Sequence, residues 1–202
     1  MTFAVIPACG HSTRMGQPKL SLPLGNLTVM EYVVGTLREG GVECVLVVVG
    51  PHVPELIPLA RNAGAEVLAL AASTPDMRST AVHGLAWIEN RYHPRPEDAW
   101  LLAPADRPGF SANVVRQLFS LAKEDPTCSV VVPAYETRRG HPVLIRWHHV
   151  VGIRSLPSGE GINAYLRLHA AETREVTVTD PGILANLDTP EDYARLREKI
   201  HD

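Results

Sequence analysis

Residues 45–49, Val-Leu-Val-Val-Val, form an unbroken apolar run in which four of the five side chains are β-branched. Branching at Cβ favours extended backbone. A strand with no polar residue has no face to give to water, so it belongs inside a sheet covered on both sides. The rest of the chain has the matching rhythm, because apolar runs alternate with helical patterns almost from end to end. That alternation predicts a mainly parallel sheet flanked by helices.

Residues 3–8, 66–70, 99–103 and 129–132 read as further strands. Residues 142–145 read as a short strand and 175–178 as a last strand at the sheet edge. Met30, Val33, Val34 and Leu37 recur at helical spacing before Gly40-Gly41 stops the helix. Residues 76–90 read as helix, as does a segment from a Ser111 cap to about Lys123, and so do residues 161–169. Pro54 and Pro58 leave room only for a short or late-starting helix in 51–63. The C-terminal helix is the best signed: Thr189 as N-cap, Pro190 at the first position, Asp192 at capping-box spacing, and Arg195, Arg197 and Lys199 toward its end.

Composition removes several function classes. A formal net charge of −3 gives no electrostatic footprint for nucleic acid, so an anionic ligand has to be met by locally placed cations. No stretch approaches a membrane span, and no basic region precedes the first apolar run, which makes a cytoplasmic location the expectation. Cys9, Cys44 and Cys128 form no CxxC and sit in or beside apolar runs, as buried free thiols do.

Ligands of open parallel sheets bind beyond the carboxyl ends of the strands, and four unusual clusters fall there. After the first strand, residues 10–19 carry two glycines, two hydroxyls (Ser12, Thr13) and two cations (Arg14, Lys19). That composition suits a loop cradling phosphate, although it is neither a Walker loop nor GxGxxG. Asp76-Met77-Arg78-Ser79-Thr80 opens a helix with an arginine and two hydroxyls. Asp106 follows the fourth strand directly, and Asn186-Leu187-Asp188 precedes the C-terminal helix. Asp106 and Asp188 are suited to share a Mg²⁺ with phosphate oxygens; turn or helix-capping roles are the competing readings. His141, in Arg139-Gly140-His141-Pro142, is a candidate substrate-loop residue. His148 and His149 are neighbours that would diverge on a helix, and they read as solvent or packing residues. There is no GxSxG elbow and no HExxH.

Taken together these clusters resemble the MobA-like nucleotidyltransferases, and within them the molybdenum cofactor cytidylyltransferase branch. Residues 10–19, Gly-His-Ser-Thr-Arg-Met-Gly-Gln-Pro-Lys, match the family's nucleotide loop, and Met77-Arg78-Ser79-Thr80 its base-and-ribose loop. Asp106 matches the metal aspartate of its Asp-x-Pro motif. Arg139-Gly140-His141-Pro142-Val143 and Gly159-Glu160-Gly161 are similar to segments of the cytidylyltransferase branch, and 186–192 to its closing motif.

The resemblance implies a single domain over residues 1–202. Its fold would be a Rossmann-like three-layer α/β/α with a mostly parallel sheet and an antiparallel edge strand. It implies a Mg²⁺-dependent enzyme in which a substrate phosphate attacks the α-phosphorus of a nucleoside triphosphate and pyrophosphate leaves. Ala8, Cys9, Gly10, Ser12, Arg14, Lys19, Arg78, Ser79 and Thr80 would bind nucleotide, with Arg14, Lys19 and Asp106 catalytic. Asp106 and Asp188, or Asn186 in place of Asp188, would hold the metal. Gly140 and His141 would meet the acceptor, which for this branch is molybdopterin, and a molybdoenzyme would be the downstream partner.

Two departures matter. The chain has Pro7-Ala8-Cys9-Gly10 where relatives have Leu-Ala-Ala-Gly, and the guanylyltransferase branch has glycine at the position of Cys9. A side chain there leaves less room for a purine and favours CTP. Pro7 removes a backbone donor at the strand's end. Arg107 stands where relatives have Gln or Met, as a partner for a more anionic substrate or for Asp106. The alternatives are transfer to a sugar or isoprenoid-precursor phosphate, and a non-catalytic nucleotide- or pterin-binding accessory.

Overall fold

The computed structural model describes residues 1–10, Met15 and 18–201, with side chains through Glu198. Its strands are β1 (Thr2–Ala8), β2 (Pro23–Leu24), β3 (Leu27–Thr28), β4 (Cys44–Val49), β5 (Glu66–Ala69), β6 (Ala99–Leu102), β7 (Val130–Tyr135), β8 (Arg138–Arg139), β9 (Val143–Arg146) and β10 (Thr173–Thr177). Its α-helices are α1 (Val29–Glu39), α2 (Leu56–Asn62), α3 (Met77–Tyr92), α4 (Ala112–Glu124), α5 (His149–Arg154), α6 (Ile162–Leu168) and α7 (Pro190–His201). Among the described residues no helix is long and apolar enough to cross a membrane.

One sheet runs in the order β10-β7-β9-β6-β1-β4-β5, with β8 beside β7; β2 and β3 form a separate hairpin. β1 pairs in parallel with β4 and β6, β4 with β5, and β7 with β10. β9 runs antiparallel to both β6 and β7. The fold is therefore the Rossmann-like, mostly parallel α/β class expected, and β10 lies at an edge. The antiparallel strand does not: β9 is inserted inside the sheet. Its residues Val143, Leu144 and Ile145 are all buried, so an interior place satisfies them where an edge would not.

The pleat of β1 sorts its side chains into two layers. Phe3 and Val5 join Leu46, Val48 and the α3 residues Ala81, Leu85 and Ile88 on one face. Ala4, Ile6 and Ala8 join Val45, Val47, Val49 and residues of α1, α2 and α4 on the other. Each fully buried Val or Leu contributes about 1.5–3 kcal/mol, so the run at 45–49 anchors both layers at once. At Gly84 on α3, a Cβ would stand 2.9 Å from Val48 Cγ2 and 3.0 Å from Val5 Cγ1. Absence of a side chain lets that helix lie close on the sheet.

Helix boundaries follow local chemistry. Thr28 and Glu31 form a reciprocal capping box at α1, and Asp76 Oδ1 accepts from Ser79 N at 2.6 Å at α3. α2 starts late, at Leu56, which puts Pro58 third in the helix, where a missing N–H costs no intrahelical bond. Thr189 and Asp192 cap α7 as expected, through Asp192 N to Thr189 Oγ1 at 3.2 Å and Thr189 N to Asp192 Oδ2 at 3.0 Å. Ser111 holds the cap position of α4, but its side chain makes no capping bond. Instead its backbone N–H donates to Asp180 Oδ2 at 2.9 Å, tying the helix start to the 180s turn.

Candidate active site

The chain runs from β1 outward through β4 to β5, then returns to the other side of β1 with β6. That reversal opens a crevice between the carboxyl ends of β1 and β6. The crevice is a cleft of about 400 Å³. Of the residues picked out by sequence, Ala8, Cys9, Gly10, Lys19, Thr80, Asp106 and Asp188 line it.

Pro7 costs the sheet nothing. Val5 carries the carbonyl that accepts from Ala103 N on the β6 side, whereas Ala8 O accepts from Gly50 N on the β4 side. Pro7 shares the parity of Val5, and pairing with β6 ends at Val5–Leu102. Its missing N–H therefore points to where β6 has already turned away.

At the mouth of the cleft one cation meets two carboxylates. Lys19 Nζ lies 3.1 Å from Asp106 Oδ2 and 3.0 Å from Asp188 Oδ1. Asn186 Nδ2 donates to the other oxygen of Asp188 at 2.6 Å, so Asn186 orients Asp188 rather than facing the cation. The two acid loops are also stitched by backbone, Leu187 N donating to Asp106 O at 2.9 Å. Capping of α7 falls to Thr189, and Asp188 does not take that role. Sequence alone contains no signal for this three-way contact, since it joins residues 19, 106 and 188.

The wall formed by Cys9, Thr74 and Thr80 is polar, and Asp76, a carboxylate held below its usual range by the Ser79 N–H, lines the cleft beside it. Cys9 Sγ lies 3.6 Å from the Val48 carbonyl, and burial pushes its thiol pKa up, against hydrogen bonds with Thr80 and Thr74 that pull it down. The thiol is thus protonated at neutral pH. Thr80 Oγ1 donates to Asp76 O at 3.1 Å and stands 2.5 Å from Thr74 Oγ1. Met77, from the segment matched to the base-and-ribose loop, also lines the cleft, as does Thr74, which was not anticipated; the signal available for Thr74 was its place in a polar loop after β5.

Other expected residues lie elsewhere. Arg78 Nη1 donates to Leu156 O at 2.7 Å, tying α3 to the segment after α5. Neither Arg78 nor Ser79 lines the cleft. Gly140 lets the 181–184 turn approach, since a Cβ there would strike the Ile183 carbonyl. His141, joined to Pro142 by a cis peptide bond, donates its N–H to Ile183 O at 3.1 Å. Burial, and then the charge of Arg107, hold its ring at a pKa of about 4 against the opposing pull of Asp106. His141 therefore stands neutral beside the Asp106 loop without lining the cleft. Ser12 and Arg14 lie outside the described residues.

Residues 4–176 match the family described as MobA-like NTP transferase domain. No curated protein matches the chain in sequence. The fold is shared with solved structures of low identity. A nucleotidyl transferase from Methanothermobacter thermautotrophicus, Mth528, aligns with a TM-score of 0.80 at 22% identity, covering 100% of this chain and 98% of that one. Rv0371c of Mycobacterium tuberculosis H37Rv, in complex with manganese, aligns with a TM-score of 0.74 at 21% identity, covering 98% and 97%. CMP:2-keto-3-deoxy-manno-octonic acid synthetase complexed with CTP aligns with a TM-score of 0.74 at 18% identity, covering 99% and 98%.

Proposed function

This chain belongs to the MobA-like NTP transferase family and is a nucleotidyltransferase, and from that premise we propose that it transfers CMP from CTP to a phosphorylated acceptor. The acceptor we favour, on the sequence resemblance, is molybdopterin. The observation that carries the reading is the convergence of Asp106 and Asp188 on one cation at the mouth of the β1/β6 cleft.

Two carboxylates that already close around a point charge are a hard-oxygen donor set, which suits a divalent ion such as Mg²⁺. Asp106 and Asp188 would hold that ion, with Asn186 fixing the angle of Asp188. When bound, the metal polarises the α-phosphate and offsets charge on the departing pyrophosphate. Lys19 keeps the two acids from repelling each other; with a metal held by them, its ammonium would be available to the triphosphate. Arg14, from the same loop, adds a second cation by the resemblance. The attacking acceptor phosphate is already anionic at neutral pH, so the reaction needs positioning and charge stabilisation rather than a strong base. That agrees with His141, whose pKa of about 4 makes it a weak proton acceptor; Gly140 and His141 lie outside the cleft lining, and their contact with the acceptor rests on the resemblance.

Cys9 supports the choice of base. Its protonated thiol occupies space on the inner wall that a glycine would leave to a purine. Thermal shift with CTP, GTP, ATP and UTP, with and without Mg²⁺, tests the reading, because specific binding stabilises by mass action. A CTP shift that requires Mg²⁺ is expected; no shift with any nucleotide would point to an accessory role.

A further inference from the structure

We propose that His148, His149 and Glu172 form a binding site for a divalent transition cation of the zinc, cobalt or nickel type, separate from the nucleotide cleft. The three residues lie where β9 ends and β10 begins. Because β9 runs antiparallel to its neighbours, this is the end of the sheet opposite the cleft. Sequence reasoning set the two histidines aside as diverging on a helix. In the fold His148 precedes α5, and the two rings lie with centroids 4.3 Å apart. One donor atom from each of His148, His149 and Glu172 falls within 4.8 Å of the other two.

His148 and Glu172 present available donor atoms, and His149 presents a neutral ring whose Nε2 proton must move to Nδ1. A carbonyl can only accept, so His148 Nδ1, 3.3 Å from Pro96 O, carries the proton, and the lone pair of its Nε2 is left available on an exposed ring. His149 is 1% exposed. Ser129 Oγ donates to Glu172 Oε2 at 2.8 Å and lies 2.7 Å from His149 Nε2, while His149 Nδ1 lies 3.0 Å from Tyr165 Oη. Since the Ser129 proton is committed to Glu172, His149 donates from Nε2 and accepts from Tyr165. Burial, with His148 and His169 alongside and Glu172 opposing, holds the ring at a pKa of about 4 and therefore neutral. Hydrogen bonds from His169 and Ser129 keep the Glu172 carboxyl below its usual range. His169 Nδ1 is 3.0 Å from Glu172 Oε1 and fixes that carboxylate from behind.

Two imidazole nitrogens and one carboxylate suit borderline cations and not Mg²⁺, and three protein ligands leave a position for water. Bonds of about 2.0–2.1 Å require ligand atoms nearer to one another than the present 4.8 Å. His148, exposed, and Glu172, with a half-exposed side chain, can close on the fixed His149. Glu172 Oε2 already stands 3.8 Å from His149 Nε2. For Nε2 to ligate, the His149 proton moves from Nε2 to Nδ1, where Tyr165 Oη, 3.0 Å away, accepts it, so the ring stays neutral and releases no net proton.

The test uses the full chain without an affinity tag, stripped of metal and titrated with Zn²⁺ against a chromophoric chelator; Co²⁺ supplies a visible spectrum. Wild type should bind a single tight equivalent that excess Mg²⁺ does not displace. His148→Ala, on an exposed ring, should leave the metal-free melting temperature unchanged and weaken Zn²⁺ by about tenfold or more, as should Glu172→Gln. Asp106→Asn should leave Zn²⁺ affinity as it was. Failure of wild type to compete with the chelator, undiminished binding in both variants of this cluster, or loss of the tight site with Asp106→Asn would each overturn the proposal.

Discussion

Lys19 and Asp106, 87 residues apart in the chain, meet with Nζ 3.1 Å from Oδ2, and the same ammonium lies 3.0 Å from Asp188. The lysine is the electrostatic centre of the cleft, so removing it should act in two directions. Lys19→Met should lower turnover by about a hundredfold or more, the scale of other oxyanion stabilisers. In nucleotide-free protein it should instead tighten Mn²⁺ binding by about tenfold or more, because the carboxylates lose their competing cation. Mn²⁺ titration followed by electron paramagnetic resonance checks the second effect; unchanged or weaker binding would show that Lys19 does not compete for that place.

Asp106→Asn should abolish metal-dependent transfer while the fold persists. The Lys19–Asp106 pair is partly exposed and contributes little to stability, whereas a Lewis acid is worth several kcal/mol to the barrier. Circular dichroism and a metal-dependence curve measured together separate the two. A variant that uses Mg·CTP normally would return Asp106 to the role of a turn residue.

Cys9→Gly should move base preference toward purines. Removing a side chain of this size from a pocket wall changes discrimination by about tenfold, read as the GTP to CTP ratio of kcat/KM. An unaltered ratio would place the choice of base elsewhere on the wall.

Acid should destabilise the protein through His149. Its folded value is about 4 and its ordinary value 6.5, so between these the unfolded chain takes up a proton that the folded chain refuses. Stability is then full above about pH 6.5 and falls as pH drops toward 4, by on the order of 3 kcal/mol. His141 acts with the same sign. Urea unfolding in chelator at pH 7.5 and pH 5 should give a smaller drop in His149→Gln than in wild type; equal drops would contradict the buried, neutral ring.

Gly84→Ala pits two terms against each other. Helix propensity favours alanine by about 1 kcal/mol. The new Cβ would press on Val48 Cγ2 at 2.9 Å and Val5 Cγ1 at 3.0 Å, and overpacking of this kind costs about 1–3 kcal/mol. A net loss of about 1 kcal/mol in denaturant unfolding is expected, and a gain would mean that α3 can move off the sheet.

The parallel half of the sheet was legible because its strands are written locally, as in the apolar run at 45–49 and the alternation around it. The insertion of β9 between β6 and β7 was not, since strand order depends on pairings between residues such as Leu101 and Leu144 that no local pattern encodes. Nor was α5, six residues long with no side-chain cap, or the hairpin of β2 and β3, only two residues a side. Within the cleft, the acids at 106 and 188 could be placed at the right end of the sheet by strand counting alone. Arg78 shows the limit of that method: the helix start was read correctly, but the guanidinium turns to Leu156, and side-chain direction is set by tertiary partners.

The central claim is tested most directly by α-phosphate-labelled CTP incubated with Mg²⁺ and molybdopterin, with pyrophosphate release followed alongside label transfer. Labelled CMP joined to the pterin, one pyrophosphate for each transfer, and loss of both with Asp106→Asn is the predicted result. Pyrophosphate release or label transfer that survives Asp106→Asn, or none from CTP with any phosphorylated acceptor, would contradict it.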